Sequence, residues 1–228
     1  MRKPRQNAYS MFRWKIAQWF ELRWWKRYLK NKDKEEYLNW KRNYWRQLLK
    51  QVSDVLVIPP NAKVCDLGCG PAGVFMVLSD CKVTAVDPLV DAYERETPFF
   101  APRDYPNVTF VNSTIEAFSV QDKFERVFCM NCINHVRDLE KGFEQLKALC
   151  AEGGTLILTV DAHHFSFFKH LFRIIPGDVL HPHQYDLAEY QTFLEEQGFE
   201  ILKTELLKQE FFFGHWVIVA RKLNSQPV

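Results

Sequence analysis

Between Tyr9 and Val52 the sequence contains neither glycine nor proline. The two residues that most readily break a helix are therefore missing from the whole N-terminal stretch, and long helices are expected there. Long hydrophobic runs are also missing: no apolar stretch approaches the roughly 18 residues that a membrane-spanning helix needs. The leading segment "MRKPRQNAYSMFRWK" is basic but lacks the apolar run of a secretory signal, so a cytoplasmic protein is expected. Cysteines occur at 65, 69, 81, 129, 132 and 150, at strand and helix positions, which favours reduced thiols over a disulfide framework. "CMNC" (Cys129, Cys132) has no second pair to complete a zinc site, and it reads as small residues packing at a strand end.

Net charge is scarce too, at +2, but it is unevenly spread. Residues 1–50 carry 15 Lys+Arg against 4 Asp+Glu, and the rest of the chain carries 15 against 24, so the two parts have opposite signs. Six of the seven tryptophans also fall in the first 50 residues. The compositional seam is "VIPPNAK", where Pro59 and Pro60 stop any helix. A hydrophobic content of 47% is enough for a packed core and excludes global disorder.

In the N-terminal part, Phe12, Ile16, Trp19 and Phe20 recur at helical spacing, with Arg23 and Lys26 on the polar side. After the polar break "NKDKEEY", Tyr37, Trp40, Tyr44 and Leu48 repeat the spacing. Two amphipathic helices are expected, at roughly 10–30 and 34–52. Beyond the seam, strand-like and helical segments alternate. "KVCDL", "KVTAVD", "NVTFVN", "FERVFCM" and "GTLILTVD" read as strands, and "AGVFMVLSD", "LVDAYERET" and "RDLEKGFEQLKALC" read as helices. This order implies parallel βαβ units in a doubly wound α/β sheet. A last helix, "LAEYQTFLEEQ", leads into "EILKTELLK" and "FFFGHWVIVARK". No helix separates those two strands, so they should pair antiparallel.

The stretch "VCDLGCGPAGVF" holds a G-x-G-x-x-G of Gly68, Gly70 and Gly73 at a strand–helix junction. Such a turn lets a backbone approach a nucleotide-like ligand, either a nicotinamide dinucleotide or S-adenosylmethionine. Asp66, two residues before Gly68, suits a ligand with a cationic amino-acid end and would repel a pyrophosphate. Pro71 removes one amide from the helix start that would cradle that pyrophosphate. Asp87 ends the second strand and can accept ribose hydroxyls, which both ligands possess.

With "VCDLGCGPAG", "VTAVD", "FERVFCMNCINHVRD", "GGTLILTVD" and the paired terminal strands in order, residues 50–222 resemble the class I S-adenosylmethionine-dependent methyltransferases. The resemblance implies a Rossmann-like seven-stranded sheet of order 3-2-1-4-5-7-6 with strand 7 antiparallel. It implies that Asp66, Gly68 and Gly70 hold the methionine end and Asp87 the ribose. Where the family often has an acid near the adenine, this chain has Thr114 followed by Ile115, with Ile115 packing on the ring. The seam and the helical spacing set an N-terminal helical lid at 1–52 apart from a methyltransferase domain at 53–222 and a tail at 223–228.

The acceptor pocket should lie beyond strands four and five. Asn131 can face cofactor or substrate. His135 can act as a general base, since a histidine at this relative position in phosphoethanolamine methyltransferases pairs with a lid tyrosine, for which Tyr9, Tyr28, Tyr37 and Tyr44 are available here, Tyr9 being placed at the substrate. Packing is the alternative for that histidine. Asp161, His163, His164, His181 and His183 invite a metal reading, but their spacing matches no metal signature. No metal is expected, and His163 and His181 are placed as acceptor-pocket residues. The segment "FSFFKHLFRIIPGD" and the aromatic helices should cover the pocket mouth, pointing to a small apolar or aromatic acceptor methylated on O or N. Basic residues interleaved with tryptophans also suit an anionic membrane surface and a lipid-linked acceptor. Nucleic acid is disfavoured, because "NCIN" after strand four lacks the prolines and aromatic that grip a flipped base.

Overall fold

A computed structural model describes residues 11–163, 185–209 and 213–224. Its seven strands are β1 (Lys63–Leu67), β2 (Lys82–Val86), β3 (Val108–Val111), β4 (Phe124–Met130), β5 (Cys150–His163), β6 (Phe199–Gln209) and β7 (Phe213–Lys222). They form one sheet in the order β3-β2-β1-β4-β5-β7-β6. The first five pair parallel, and β7 lies antiparallel between β5 and β6. This is the expected seven-stranded arrangement. Central strands are mostly apolar because both of their faces are covered: Val64, Cys65 and Leu67 of β1 and Val127, Phe128 and Cys129 of β4 are fully buried, with Asp66 the buried exception in β1.

The helices are α1 (Met11–Leu29), α2 (Lys34–Gln51), α3 (Val90–Glu96), α4 (Leu139–Leu149) and α5 (Leu187–Glu196). Three of them start where an aspartate accepts an amide of the first turn: Asp33 from Glu36, Asp138 from Lys141 and Asp186 from Glu189. Glu189 returns the bond to Asp186, completing a capping box. On one face of the sheet, Leu38, Trp45 and Leu48 of α2 join Phe75, Tyr93 and Phe100 in a single apolar cluster. On the other face, Phe143 and Leu146 of α4 and Tyr190 and Leu194 of α5 form a second. The N-terminal helices thus share the core of the sheet.

The structure departs from the sequence pattern in several places. Trp19 and Phe20 of α1, expected on its buried face, are 54% and 47% exposed. The helix instead packs through Leu22, Trp25 and Leu29, with the half-buried Glu21 on the same side. Aromatics occur on every side of this helix, so hydrophobic spacing alone does not choose a face. "AGVFMVLSD" is not an α-helix but two 3-10 turns, Gly70–Ala72 and Val74–Val77. Gly73 is extended between them, and the Phe75 amide bonds the Asp66 side chain. His135 sits in a 3-10 turn, Ile133–His135, rather than one turn into a helix, because Asp138 caps α4 only afterwards. Strand β5 begins at Cys150, before the Gly153–Gly154 pair, with a register shift against β4 that absorbs the turn at Gly153.

Candidate cofactor and acceptor site

The parallel strands end in a cavity of about 570 Å³, within the range of small-molecule pockets. Gly68 and Gly70 follow β1 at φ +64° and +55°, in the left-handed region that only glycine adopts readily. Gly68 has a second constraint, since a Cβ there would lie 2.3 Å from the Cβ of Cys132. At Gly70 an added Cβ would meet only Trp25, in ordinary contact at 3.9 Å, so it is the positive φ rather than crowding that calls for glycine there. Cys132 packs by donating to the Leu67 carbonyl at 3.0 Å, with its Sγ 3.1 Å from Cys129 Sγ. The bond with Cys129, then burial, holds the Cys132 thiol well above its ordinary range, which disfavours a reactive thiolate. The C-x-x-C is a packing pair.

Asp66 is 1% exposed and lines the cavity. Its Oδ2 accepts the Phe75 amide at 3.1 Å, while its Oδ1 has no partner. Burial pushes this carboxyl up to about 7, against the pull of the Phe75 amide. Asp87 is anchored through both oxygens: Oδ2 accepts from the Gly70 amide at 3.0 Å and Oδ1 from the Leu89 amide at 2.8 Å. Each oxygen keeps a further lone pair, and burial raises this carboxyl as well. Thr114, Ile115, Asn131 and His135 all line the same cavity. Thr114 Oγ1 accepts the Ala117 amide at 3.2 Å, and Asn131 turns the chain after β4 at φ +53°.

Of the acceptor-side expectations, Tyr9 and His181 lie outside the described residues, as do His164, His183 and "FSFFKHLFRIIPGD". His163 ends β5 opposite Phe213. Asp161 bonds His215 of β7, Oδ1 to Nδ1, at 2.7 Å, and among the described residues no metal-holding group of His, Cys, Asp and Glu is present.

Three cavity residues were not anticipated. Glu21 of α1 accepts from the Tyr93 hydroxyl at 3.3 Å, and burial, then the charge of Asp87, raises its carboxyl. Lys41 of α2 lies 4.7 Å from the Trp45 ring centroid, and burial lowers it to about 8 while Asp66 opposes the shift. The third is His215. Each had a signal: Glu21 is the only acid before Asp33, Lys41 breaks an aromatic face, and His215 interrupts an apolar strand.

The sheet order and the loop after β1 together define a Rossmann-like class I methyltransferase fold. The family described as "Methyltransferase domain" matches residues 37–204, and the chain belongs to it. Among curated proteins it is similar to the protein of Invertebrate iridescent virus 6 named as methyltransferase 235L, 22% identical over 168 residues. That alignment covers 67% of this chain, which spans about three fifths of the relative's length (62%). Among solved structures it is similar to the 1,6-didemethyltoxoflavin-N1-methyltransferase of Burkholderia thailandensis, with bound 1,6-didemethyltoxoflavin and S-adenosylhomocysteine. The TM-score is 0.65 at 17% identity, over 98% of this chain and 94% of the other. The N-methyltransferase NodS of Bradyrhizobium japonicum, in complex with S-adenosylhomocysteine, gives 0.62 at 14% identity, over 92% and 98%.

The residues fit S-adenosylmethionine. The unpartnered Oδ1 of Asp66 is an acceptor that a cationic donor would satisfy, and it lines one cavity with Gly68 and Gly70.

Proposed function

We propose that this protein is an S-adenosylmethionine-dependent methyltransferase that methylates O or N of a small apolar or aromatic acceptor. The buried, unpartnered Asp66 Oδ1, beside the Gly68–Gly70 turn, carries this reading. Asp66 takes the ammonium of the methionine end, and Lys41 lies close enough to that charge to take the carboxylate. Asp87 takes the ribose hydroxyls, with Thr114 and Ile115 bordering the adenine and Asn131 the path to the acceptor. When bound, the cofactor supplies a methyl group already activated on a sulfonium, so the protein has only to position the acceptor, exclude water and accept a proton. Residues 1–52 serve as the lid, since Trp14, Trp24 and Trp40 border the cavity. Residues 53–222 are the catalytic body and 223–228 a tail. Tyr9, His163 and His181 are assigned to the acceptor end, with no metal, in a cytoplasmic setting. Isothermal calorimetry with S-adenosylmethionine, S-adenosylhomocysteine and NAD tests the cofactor. Binding of the first two without NAD is expected, and NAD binding alone sinks the reading.

One observation favours an acceptor presented at a membrane. Exposed Trp19 and Trp24 share α1 with a cleft lined by Arg23, Lys26, Arg27, Lys30, Lys32 and Lys34, with Glu96 its single acid. No helix among the described residues is long and apolar enough to cross a bilayer, so the contact would be peripheral. Flotation with phosphatidylglycerol vesicles, and not with phosphatidylcholine vesicles, is expected on this reading. Equal flotation with neither discards it.

A further inference from the structure

The proposed cofactor residues lie on β1, on the loops after β1, β2 and β3 and on α2, but the cavity extends across the sheet to β5 and β7. With neighbouring strands about 4.8 Å apart, β5 and β7 stand roughly 10 and 14 Å from β1. At that end, Asp161 and His215 face each other directly across the antiparallel β5–β7 ladder. Thr159 lines the cavity and Asp161 follows it by two residues, so both project from the same face of β5. His215 also lines the cavity, and the side chains of His215 and Asp161 are 19% and 25% exposed, open enough to meet a ligand. Lys208 of β6 is the next member of the same cross-strand row. From the lid, Tyr44 borders the cavity, and its phenol is raised by burial and then by the charge of Asp161, which puts it in electrostatic reach of this pair.

An imidazole whose Nδ1 donates to a carboxylate is held in one tautomer and one orientation, with a lone pair left on Nε2. We propose that His215, oriented by Asp161, is the proton acceptor for the methyl acceptor, a small molecule presenting an O–H or N–H at the β5–β7 end of the cavity. The proposal rests on the methyltransferase reading above. As the acceptor O or N bonds the methyl carbon, the bond from that carbon to sulfur breaks and its electron pair stays on sulfur. The acceptor's proton moves to His215 Nε2, and Asp161 stabilises the imidazolium that results. The base therefore comes from the terminal hairpin rather than from His135. It also narrows the substrate class to hydroxyls, phenols and nitrogens that carry an N–H, since a tertiary amine has no proton to give.

The test uses the full-length protein saturated with S-adenosylhomocysteine and 4-nitrophenol as the probe, because its phenolate is yellow and its neutral form colourless. At slightly acidic pH, where the free probe is mostly neutral, the wild type should bind it with a phenolate band. His215→Gln should reduce that band at least tenfold, and Asp161→Asn should weaken it severalfold. Both variants should keep S-adenosylhomocysteine affinity within a few-fold by calorimetry and should melt cooperatively. In ¹⁵N spectra of histidine-labelled protein, His215 should carry its proton on Nδ1, and Asp161→Asn should abolish that fixed tautomer. A wild type that fails to bind the probe at millimolar concentration, or binds it colourless, overturns the proposal. So does a band that survives His215→Gln and vanishes in His135→Ala. Failure of S-adenosylhomocysteine itself to bind would strike at the methyltransferase reading instead, which keeps the two failures apart.

Discussion

At the scale of single residues, the two aspartates proposed for the cofactor end are prepared differently. Asp87 is fixed by two backbone amides, so its orientation is set before any ligand arrives. Preorganised charge-assisted hydrogen bonds contribute about 1.5–3 kcal/mol each. Asp87→Ala should therefore weaken S-adenosylmethionine at least tenfold in calorimetry while the domain stays folded, and unchanged affinity would remove its ribose role. Gly68 is tied to packing as much as to ligand. An added methyl would meet both the positive φ and the Cys132 side chain, so Gly68→Ala should destabilise by about 1–3 kcal/mol even without ligand. Equal melting temperatures for Gly68→Ala and wild type would show that the loop can move aside.

At the scale of elements, α2 both borders the cavity and belongs to the core. Trp45 buries its ring in the apolar cluster beneath the sheet and donates Nε1–H to the Ala72 carbonyl at 2.9 Å, joining the helix to the glycine-rich turn. Trp45→Phe keeps most of the packing and loses that bond, for an expected cost near 1 kcal/mol, whereas Trp45→Ala should cost about 3–5 kcal/mol. Chemical denaturation of the two variants separates them, and equal losses would make the hydrogen bond irrelevant. By the same logic, deleting residues 1–50 removes buried core, while deleting only 1–31 spares α2. The shorter deletion should retain measurable cofactor binding, and complete loss of binding would place Glu21 or Trp25 among the essential contacts.

The element pattern was largely readable because the first four strands are short, mostly apolar runs and each of three helices opens on an aspartate cap. The failures occurred where a tertiary contact outweighed local pattern. Residues 72–80 carry helical propensity, yet Gly73 breaks the turn and Asp66, nine residues back, captures the Phe75 amide, a contact that no one-turn window contains. The buried face of α1 was misassigned because its aromatics surround the helix and a glutamate points inward. Asp66 and Asp87 stood in recognisable positions on the chain. The pairing of His215 with Asp161 became visible only once β5 and β7 were in register, because 54 residues separate the two.

For the whole molecule, the cavity concentrates charge in a place that disfavours it. Burial raises the carboxyls of Asp66, Asp87 and Glu21 and lowers Lys41. Asp66 moves from 3.8 to about 7, so between those values the folded protein holds a proton that the unfolded chain has released. Its contribution to stability is thus complete below about pH 4 and is lost as pH rises through 7. The raised Asp87 and Glu21 act in the same sense. Lys41 has the opposite sign: lowered from 10.5 to about 8, its contribution is present above 10.5 and is lost as pH falls through 8. A bound ligand ammonium favours the ionised form of Asp66, so binding expels that proton and strengthens as pH rises toward 7. S-adenosylhomocysteine should therefore bind about tenfold more weakly at pH 6 than at pH 8, and should raise the melting temperature more at pH 8. Asp66→Asn should bind more weakly at pH 8 and lose most of this dependence. A wild-type affinity that stays level from pH 6 to pH 8 would mean that Asp66 does not meet the ammonium, and the assignment of the methionine end would have to pass to another acid of the cavity.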